Sequence, residues 1–160
     1  MAKRTESTRA TQTLARAGVE FAVRAYEHDP RATSFGREAA QALGVEADRV
    51  FKTLLVDVGG ELVVGIVPVS CSLDLKALAA AVGGKRATMA DPARAERATG
   101  YVVGGISPIG QRTTHRTVVD ETAELWDTVL VSGGRRGLDV ELSPADLIAV
   151  TEATLAPITR

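Results

Sequence analysis

The sequence contains only one cysteine and two histidines among 160 residues. Cys71 has no second cysteine with which to form an intramolecular disulfide, and no Cys/His cluster has the spacing of a zinc site. Neither His28 nor His115 has the serine or cysteine partner pattern of an acyl-transfer triad, so both are expected to be loop or surface residues. We therefore expect a reducing compartment, no metal and no cofactor.

Long apolar runs are also missing. The first 16 residues are polar and include no apolar segment typical of a secretory signal. No run in the sequence approaches the roughly 18 uninterrupted apolar residues that a membrane span requires. The sequence therefore predicts a soluble, cytoplasmic protein with no membrane partner.

The net charge is close to zero, because 19 basic residues are balanced by 20 acidic ones. The overall field would not attract polyanions from a distance, so any RNA must be bound by a local basic patch, and DNA is not an expected partner. The 45% apolar content is enough for a core, and the length lies in the single-domain range of about 100 to 200 residues. We expect one domain spanning residues 1–160.

The apolar pattern changes between helical and strand periodicity along the chain. Gly59-Gly60 joins two apolar runs, residues 54–58 and 62–67, as the turn of a β-hairpin. Further strands are predicted at residues 19–24, 128–131 and 138–142, and helices at 8–17, 34–43, 72–82, 91–100 and from Ser143, with Ser34, Ser72, Asp91 and Ser143 as caps. Hairpin-joined strands interspersed with helices indicate an α+β domain with a mixed, largely antiparallel sheet and helices packed outside.

Two glycine-rich loops, residues 104–110 and 132–137, are longer than a turn requires. They combine hydroxyls, main-chain donors and arginines, so they are candidate walls of a binding site. Neither loop matches the phosphate-binding patterns of nucleotide hydrolases, which makes that class of enzyme a weak interpretation. Arg135 and Arg136 are either clamps for RNA phosphates or solvated charges.

Three single residues outside the glycines of these loops are candidates for a chemical or a structural role. Lys52 lies among apolar neighbours, and its side chain either extends to solvent, which spacing alone favours, or forms a fixed cation at a pocket rim. Asp139 alternates with Leu138 and Val140, so its side chain should point to the opposite face. Cys71 follows an apolar strand end, and we interpret it as a core residue and not as a nucleophile.

Five short motifs occur in order along nearly the whole chain. They are YEHD from Tyr26, SFG with EAA from Ser34, VFKT from Val50, GGISPIGQ from Gly104 and SGGRRGL from Ser132. Together they resemble the YbaK family of Cys-tRNA(Pro) deacylases, and the resemblance extends from about residue 11 to residue 157. It implies a compact, barrel-like α+β fold related to the editing domain of bacterial prolyl-tRNA synthetases.

The resemblance also implies roles for individual residues. Lys52, in the VFKT motif, would be the essential catalytic residue, which favours the functional interpretation of this lysine. The other implied residues would bind the substrate at the mouth, the backbone or the far side of one pocket: Tyr26, Phe35, Thr53, Gly104, Ser132 and Asp139.

The implied reaction is trans-editing, in which cysteine is removed from proline tRNA. It needs no protein nucleophile, because the thiol of the misacylated cysteine can attack its own ester carbonyl and leave as a thiolactone. Lys52 and main-chain amides would hold the tRNA terminus and the developing oxyanion. Prolyl-tRNA synthetase is a further implied partner, since Thr113, Thr114 and His115 stand where relatives often carry basic residues.

Three other interpretations fit the sequence. The first is a deacylase that removes a different small amino acid from tRNA. The second is a non-catalytic module that binds tRNA or the synthetase. The third, a small-molecule hydrolase using Cys71 or Ser132, is disfavoured because neither residue has a visible base partner.

Overall fold

The computed structural model describes residues 7–160. Five helices and eight strands, with one short 3₁₀ helix at Glu121–Leu125, make up the described chain. The helices are α1 (Arg9–Arg16), α2 (Phe35–Leu43), α3 (Leu75–Ala81), α4 (Pro92–Thr99) and α5 (Pro144–Thr151). The strands are β1 (Ala22–Ala25), β2 (Phe51–Val58), β3 (Glu61–Pro68), β4 (Ala87–Met89), β5 (Arg116–Asp120), β6 (Val129–Arg135), β7 (Leu138–Leu142) and β8 (Thr154–Ala156).

The strands form two sheets. A three-stranded antiparallel sheet has the order β1-β7-β6, and a five-stranded sheet has the order β4-β2-β3-β5-β8. In the larger sheet the β2–β3 hairpin and the β2–β4 pair are antiparallel, whereas β3–β5 and β5–β8 are parallel. The predicted α+β fold with a mixed, largely antiparallel arrangement is therefore confirmed.

The expectation of a barrel-like sheet is wrong for residues 7–160, in which no sheet closes on itself. The larger sheet ends on both sides in three-residue strands, β4 and β8, and each of them pairs with one neighbour only. The two sheets meet instead through a single parallel bridge between Val50 and Leu130. The cavity described below lies beside this bridge and is lined by residues from the start of β2 and from the β6–β7 hairpin.

The hairpin of β2 and β3 is the centre of the core, and its strands are covered on both faces. Leu55 and Val64 pack in one cluster with residues of β6 and β7, while Val56 and Val63 pack in another with α3. A strand buried on both faces is apolar at successive positions, not at alternate ones. This burial explains the continuous apolar runs of the hairpin.

Two of the four predicted helix caps, those of α4 and α5, are confirmed by side-chain hydrogen bonds. The Asp91 side chain accepts a hydrogen bond from the Arg94 amide at the start of α4, and Ser143 accepts one from the Asp146 amide at the start of α5. Ser34 precedes α2 as predicted, but its side chain makes no capping hydrogen bond. The strand predicted at residues 19–24 is shorter and later, at Ala22–Ala25.

The predicted cap of α3 is wrong. The helix begins at Leu75, and Asp74 caps it by accepting a hydrogen bond from the Ala77 amide at 3.0 Å. Ser72 is held outside the helix because its carbonyl accepts a hydrogen bond from the amide of Arg160 at 3.0 Å. Long-range pairing with the C-terminus therefore prevents the helix from beginning at Ser72.

The last residues are integrated into the fold. Ile158 is fully buried, and its amide donates to the Asp120 carboxylate at 2.9 Å. The Ile158 carbonyl accepts from the Asp74 amide at 2.7 Å, and Thr159 forms an antiparallel bridge with Leu73. The C-terminal segment thus joins the 3₁₀ region to the start of α3. None of the helices described between residues 7 and 160 is long and apolar enough to cross a membrane.

Candidate active site

A cavity of about 330 Å³ opens between the start of α2, the start of β2, the loop after α4 and the β6–β7 hairpin. Its walls are mainly apolar. The structure brings all of the site residues predicted from sequence to this one cavity: Tyr26, Phe35, Lys52, Thr53, Gly104, Ser132 and Asp139. Their roles remain predictions, but residues from five separate segments of the chain share one concave surface.

Lys52 is half-buried at the start of β2. Burial lowers the pKa of its ammonium group, the nearby Arg37 lowers this pKa further, and Cys71 acts in the opposite direction. Within residues 7–160 no carboxylate forms an ion pair with Lys52, and no hydrogen bond to its ammonium is present. A desolvated cation without an anionic partner favours an anion or a developing negative charge from a ligand.

Thr53 contributes an unpaired hydroxyl to the same wall. Its Oγ1 is buried and has no hydrogen-bond partner among the described residues. Leaving a buried hydroxyl unpaired costs about 1–3 kcal/mol, so most buried hydroxyls in folded proteins are paired. Because Thr53 lines the cavity, a bound ligand is well placed to supply the missing partner.

Asp139 lies at the far side of the cavity, on the middle strand of the smaller sheet. In register it faces Arg24 on β1 and Ser132 on β6, whereas its neighbours Leu138 and Val140 are buried on the opposite face, as the alternation predicted. Asp139 is only 5% exposed, and no described donor forms a hydrogen bond to its carboxyl. Burial raises the pKa of this carboxyl to about 7, although Arg24 partly opposes the increase.

The YEHD segment is fixed beside the cavity by the side chain of Glu38. One Glu38 oxygen is 2.8 Å from Nδ1 of His28, and the other accepts the Asp29 amide at 2.6 Å. His28 is thus a loop residue, as predicted, but its ring is held next to Phe35, with centroids 6.0 Å apart. Burial and the nearby Asp139 raise the pKa of Tyr26 to about 12, so its phenol stays neutral at physiological pH.

The first glycine-rich loop forms the opposite lip of the cavity. Gly104 has a positive φ of 90°, and a Cβ there would lie 2.9 Å from the Phe35 ring. The Arg136 side chain covers the same ring and reaches the Val103 carbonyl. At Gly105 a Cβ would lie 2.7 Å from the Cα of Arg135, so the two glycine-rich loops are in backbone contact.

Replacing Gly105 by alanine should destabilise the protein by about 1–3 kcal/mol, because the clashing atoms are backbone atoms that cannot rotate away. Urea unfolding monitored by circular dichroism would measure this loss. Gly65→Ala is the matched control, since its Cβ would meet the mobile ends of Leu73 and Leu78 at 3.3 and 3.4 Å. Equal losses for the two variants would contradict the proposed close contact between the loops.

Among the described residues that line the cavity, no hydroxyl forms a hydrogen bond to a side chain that could act as its base. Cys71 does not line it, and the interpretation of Cys71 as a core residue is wrong: a turn closed by the Cys71 amide and the Pro68 carbonyl leaves the side chain partly exposed. His115 lies elsewhere, with its ring bonded to Gln111 and Thr113, and burial lowers the pKa of this histidine. No described lining residue is a histidine or a cysteine.

The apolar wall of the cavity was not predicted from the sequence. Met89, Ala90 and Pro92, from β4 and the start of α4, lie along it together with Val103. Met89 is 51% exposed although it is a large apolar residue. The sequence carried no signal for this wall, because β4, which places Met89 there, has only three residues and was not predicted.

Several known proteins that are similar to this chain belong to one functional class, the enzymes and domains that edit aminoacyl-tRNA. The family model for the aminoacyl-tRNA editing domain matches residues 28–150. The chain is 41% identical over 122 residues to the Enterococcus faecalis protein named "Putative Cys-tRNA(Pro)/Cys-tRNA(Cys) deacylase EbsC", covering 75% of this chain and 74% of that protein. It is 28% identical over 152 residues to the Escherichia coli K12 "Multifunctional Ser/Thr-tRNA deacylase ProXp-y", covering 92% and 89%.

A solved structure extends the similarity to the fold. The crystal structure described as "a putative trans-editing enzyme for prolyl tRNA synthetase" superposes with a TM-score of 0.84 at 25% identity and covers 99% of both chains. The two-sheet α+β architecture described above is therefore that of a known editing fold. Together, the family match, the sequence relatives and this structure show that the chain belongs to the YbaK/EbsC family of aminoacyl-tRNA editing domains, whose members are aminoacyl-tRNA deacylases.

Proposed function

We propose that this deacylase acts in trans on tRNA(Pro) that carries cysteine. The observation that carries the proposal is the composition of the cavity: it has one cation, Lys52, one carboxyl, Asp139, and no histidine or cysteine among the described lining residues. A site of this kind can position a substrate and stabilise charge, but none of its described hydroxyl groups forms a hydrogen bond to a lysine, carboxylate or histidine that could activate it as a nucleophile. The nucleophile must therefore be either a group of the substrate itself or a water molecule that enters the cavity.

The thiol of a cysteinyl ester is such a reactive group. In the proposed step its sulfur attacks the ester carbonyl carbon, the bond from that carbon to the ribose oxygen breaks, and the thiol proton ends on the ribose oxygen. The products are a thiolactone, which water later opens, and tRNA with a free terminal hydroxyl. Lys52 would stabilise the negative charge that develops on the carbonyl oxygen.

The polar groups of the cavity suit the other parts of a cysteinyl-tRNA terminus. Asp139 is the carboxyl suited to the substrate α-ammonium, with which it would form an ion pair. The unpaired Thr53 hydroxyl and the Gly104 backbone would contact the ester and the ribose. Tyr26, Phe35 and Ser132 would enclose these groups.

The two curated relatives differ in the amino acid that their names specify. The relative at 41% identity is named for cysteine, and the one at 28% identity is named for serine and threonine. The higher identity supports cysteine for this chain. A pocket alone discriminates between such similar side chains by only about 1–3 kcal/mol, so the thiol chemistry must provide most of the selectivity.

A panel of mischarged tRNAs tests this proposal. We expect the single-turnover rate of amino-acid release to be at least about 100-fold higher for Cys-tRNA(Pro) than for Ser-tRNA(Pro) or Ala-tRNA(Pro). Serine and alanine lack the thiol, and the fit of the side chain in the pocket accounts for only a minor part of the difference in rate. Trapping the released thiolactone by mass spectrometry would support the cyclisation step. Faster release of serine or threonine would show that the chain resembles its second relative in specificity and would overturn the cysteine assignment.

The remaining expectations follow from the substrate. A tRNA substrate would place the work of the enzyme in the cytoplasm, and we propose that residues 1–160 act as one editing domain. Prolyl-tRNA synthetase is the proposed partner, because Thr113 and Thr114 offer no positive charge for the body of the tRNA. Adding the synthetase should then lower the KM for Cys-tRNA(Pro) more than it changes kcat.

A further inference from the structure

Arg136, in the turn between β6 and β7, makes contacts that the proposed function does not use. Its guanidinium lies over the Phe35 ring, with Cζ 4.6 Å from the ring centroid. Its Nε and Nη2 both donate to the carbonyl of Val103, at 3.0 and 2.7 Å. One side chain therefore contacts two separate walls of the cavity mouth, the start of α2 and the loop after α4.

We infer that Arg136 is a positioning residue, which fixes the cavity mouth by tying Phe35 to the Val103 carbonyl. Phe35, Val103 and Gly104 all line the cavity, whereas Arg136 itself is not among the lining residues. The inference rests on the proposed function, because this mouth is where the aminoacyl end of the tRNA would enter. Arg136 would act on the substrate only through the residues that it holds.

The geometry requires an arginine. A planar guanidinium can stack on an aromatic ring and at the same time donate two hydrogen bonds in its own plane, whereas a lysine ammonium is a compact charge that cannot do both. Gly104 is part of the same arrangement, since a Cβ there would lie 2.8 Å from Nε of Arg136 and 2.9 Å from the Phe35 ring. The absence of a side chain at Gly104 allows the loop, ring and guanidinium to meet.

The tip of the loop after α4, residues 102–104, has few other attachments. The Val103 amide donates to Glu96 Oε2 at 2.8 Å, and the Gly105 amide donates to the Val102 carbonyl at 2.8 Å within the loop. Val102 is 54% exposed and Val103 is 36% exposed, so burial of their side chains contributes little to holding the loop. Loss of the Arg136 contacts should therefore increase the mobility of this lip more than it affects the core.

The rival interpretation is that Arg136 binds an RNA phosphate. In the free protein two of its donor nitrogens already serve the Val103 carbonyl, which leaves fewer for a ligand. The two roles differ in their response to lysine and to salt. A phosphate contact is kept when lysine replaces arginine, and it contributes about one to the slope of log K for binding against log salt concentration. The positioning role requires arginine and contributes nothing to that slope.

Hydrogen exchange of the free protein tests the inference without any tRNA. We expect the Val103 and Gly105 amides to exchange about tenfold faster in both Arg136→Ala and Arg136→Lys than in the wild type. The amides of the β2–β3 hairpin should be unchanged, and the urea unfolding midpoints should agree. Unchanged exchange at Val103 and Gly105, or its recovery in the lysine variant, would overturn the inference.

Deacylation kinetics provide the second arm. We expect the KM for Cys-tRNA(Pro) to rise about five- to tenfold in both Arg136 variants with kcat within about twofold, because the mouth contacts the bound substrate but not the reacting atoms. The salt slope of kcat/KM should equal that of the wild type and of Arg97→Ala, a control on the exposed side of α4. Lysine rescue, or a salt slope smaller by about one, would assign Arg136 to a phosphate instead.

The two arms separate failure of the inference from failure of the proposed function. If the wild type releases no amino acid from any mischarged tRNA, the proposed function fails. The exchange measurement still decides whether Arg136 holds the loop, since it needs no substrate.

Discussion

Replacing Lys52 by alanine is expected to lower the single-turnover rate of Cys-tRNA(Pro) deacylation by about 100- to 1,000-fold. Removal of one preorganised donor from an oxyanion site has an effect of this size, and Lys52 is the one cation among the described residues that line the cavity. Among residues 7–160 its ammonium has no carboxylate partner, so its charge is available to the substrate. The measurement is release of labelled cysteine with enzyme in excess over tRNA.

Two further variants identify the cause of that loss. Lys76→Ala removes a lysine from the exposed face of α3 and should leave the rate within about twofold, because an exposed charge on another element makes no contact with the cavity. Lys52→Arg keeps the charge in a larger group and should retain part of the activity. A Lys52→Ala enzyme within threefold of the wild type would remove Lys52 from the mechanism.

The second large effect is a dependence of stability on pH that arises from Asp139. The carboxyl has a pKa of about 7 in the folded protein, whereas an exposed aspartate has a pKa of 3.8. Between about pH 4 and pH 7 the folded state therefore binds more protons than the unfolded state, and the free energy of unfolding falls as pH rises. This pKa difference of about 3 units lowers the free energy of unfolding by at most about 4 kcal/mol, and the full loss is reached at and above pH 7.

Asp139→Asn removes this titration. Relative to the wild type, the variant should gain stability progressively from pH 4 to pH 7 and then keep a constant advantage, which urea unfolding at several pH values would measure. Glu141→Gln is the matched control on the same strand, because hydrogen bonds from Thr128 and Arg24 lower the pKa of Glu141. That variant should lose stability above pH 4.5 and approach the wild type at lower pH. Parallel pH profiles for wild type and Asp139→Asn would contradict the predicted burial of the charge.

The elements that the sequence predicted correctly are those with local signals. The β2–β3 hairpin has a Gly-Gly turn between two apolar runs, and α4 and α5 begin with a capping side chain followed by proline. The strands that were missed, β4, β5 and β8, have three to five residues each. Such strands exist because of distant partners: β5 pairs in parallel with β3 and with β8, and no local pattern encodes that pairing.

In the candidate site, too, some properties were predictable from the sequence and others were not. The five motifs predicted which polar residues would share a pocket, and the structure brings those residues to one cavity. The sequence did not predict that the Thr53 hydroxyl lacks a partner or that the Asp139 carboxyl is buried, because both properties depend on what surrounds the residue. Likewise, the stacking of Arg136 on Phe35 joins residues about 100 positions apart, so the sequence left phosphate binding and solvation open.

The integration of residues 154–160 into the fold has a consequence for aggregation of the protein. β8 is the edge of the larger sheet, and Ile158 supplies the amide that pairs with the buried Asp120 carboxylate. If residues 154–160 were removed, β5 would become an open edge and Asp120 would lose that donor. Such a truncated chain would expose a row of unpaired backbone groups that other chains can pair with, so we expect it to aggregate.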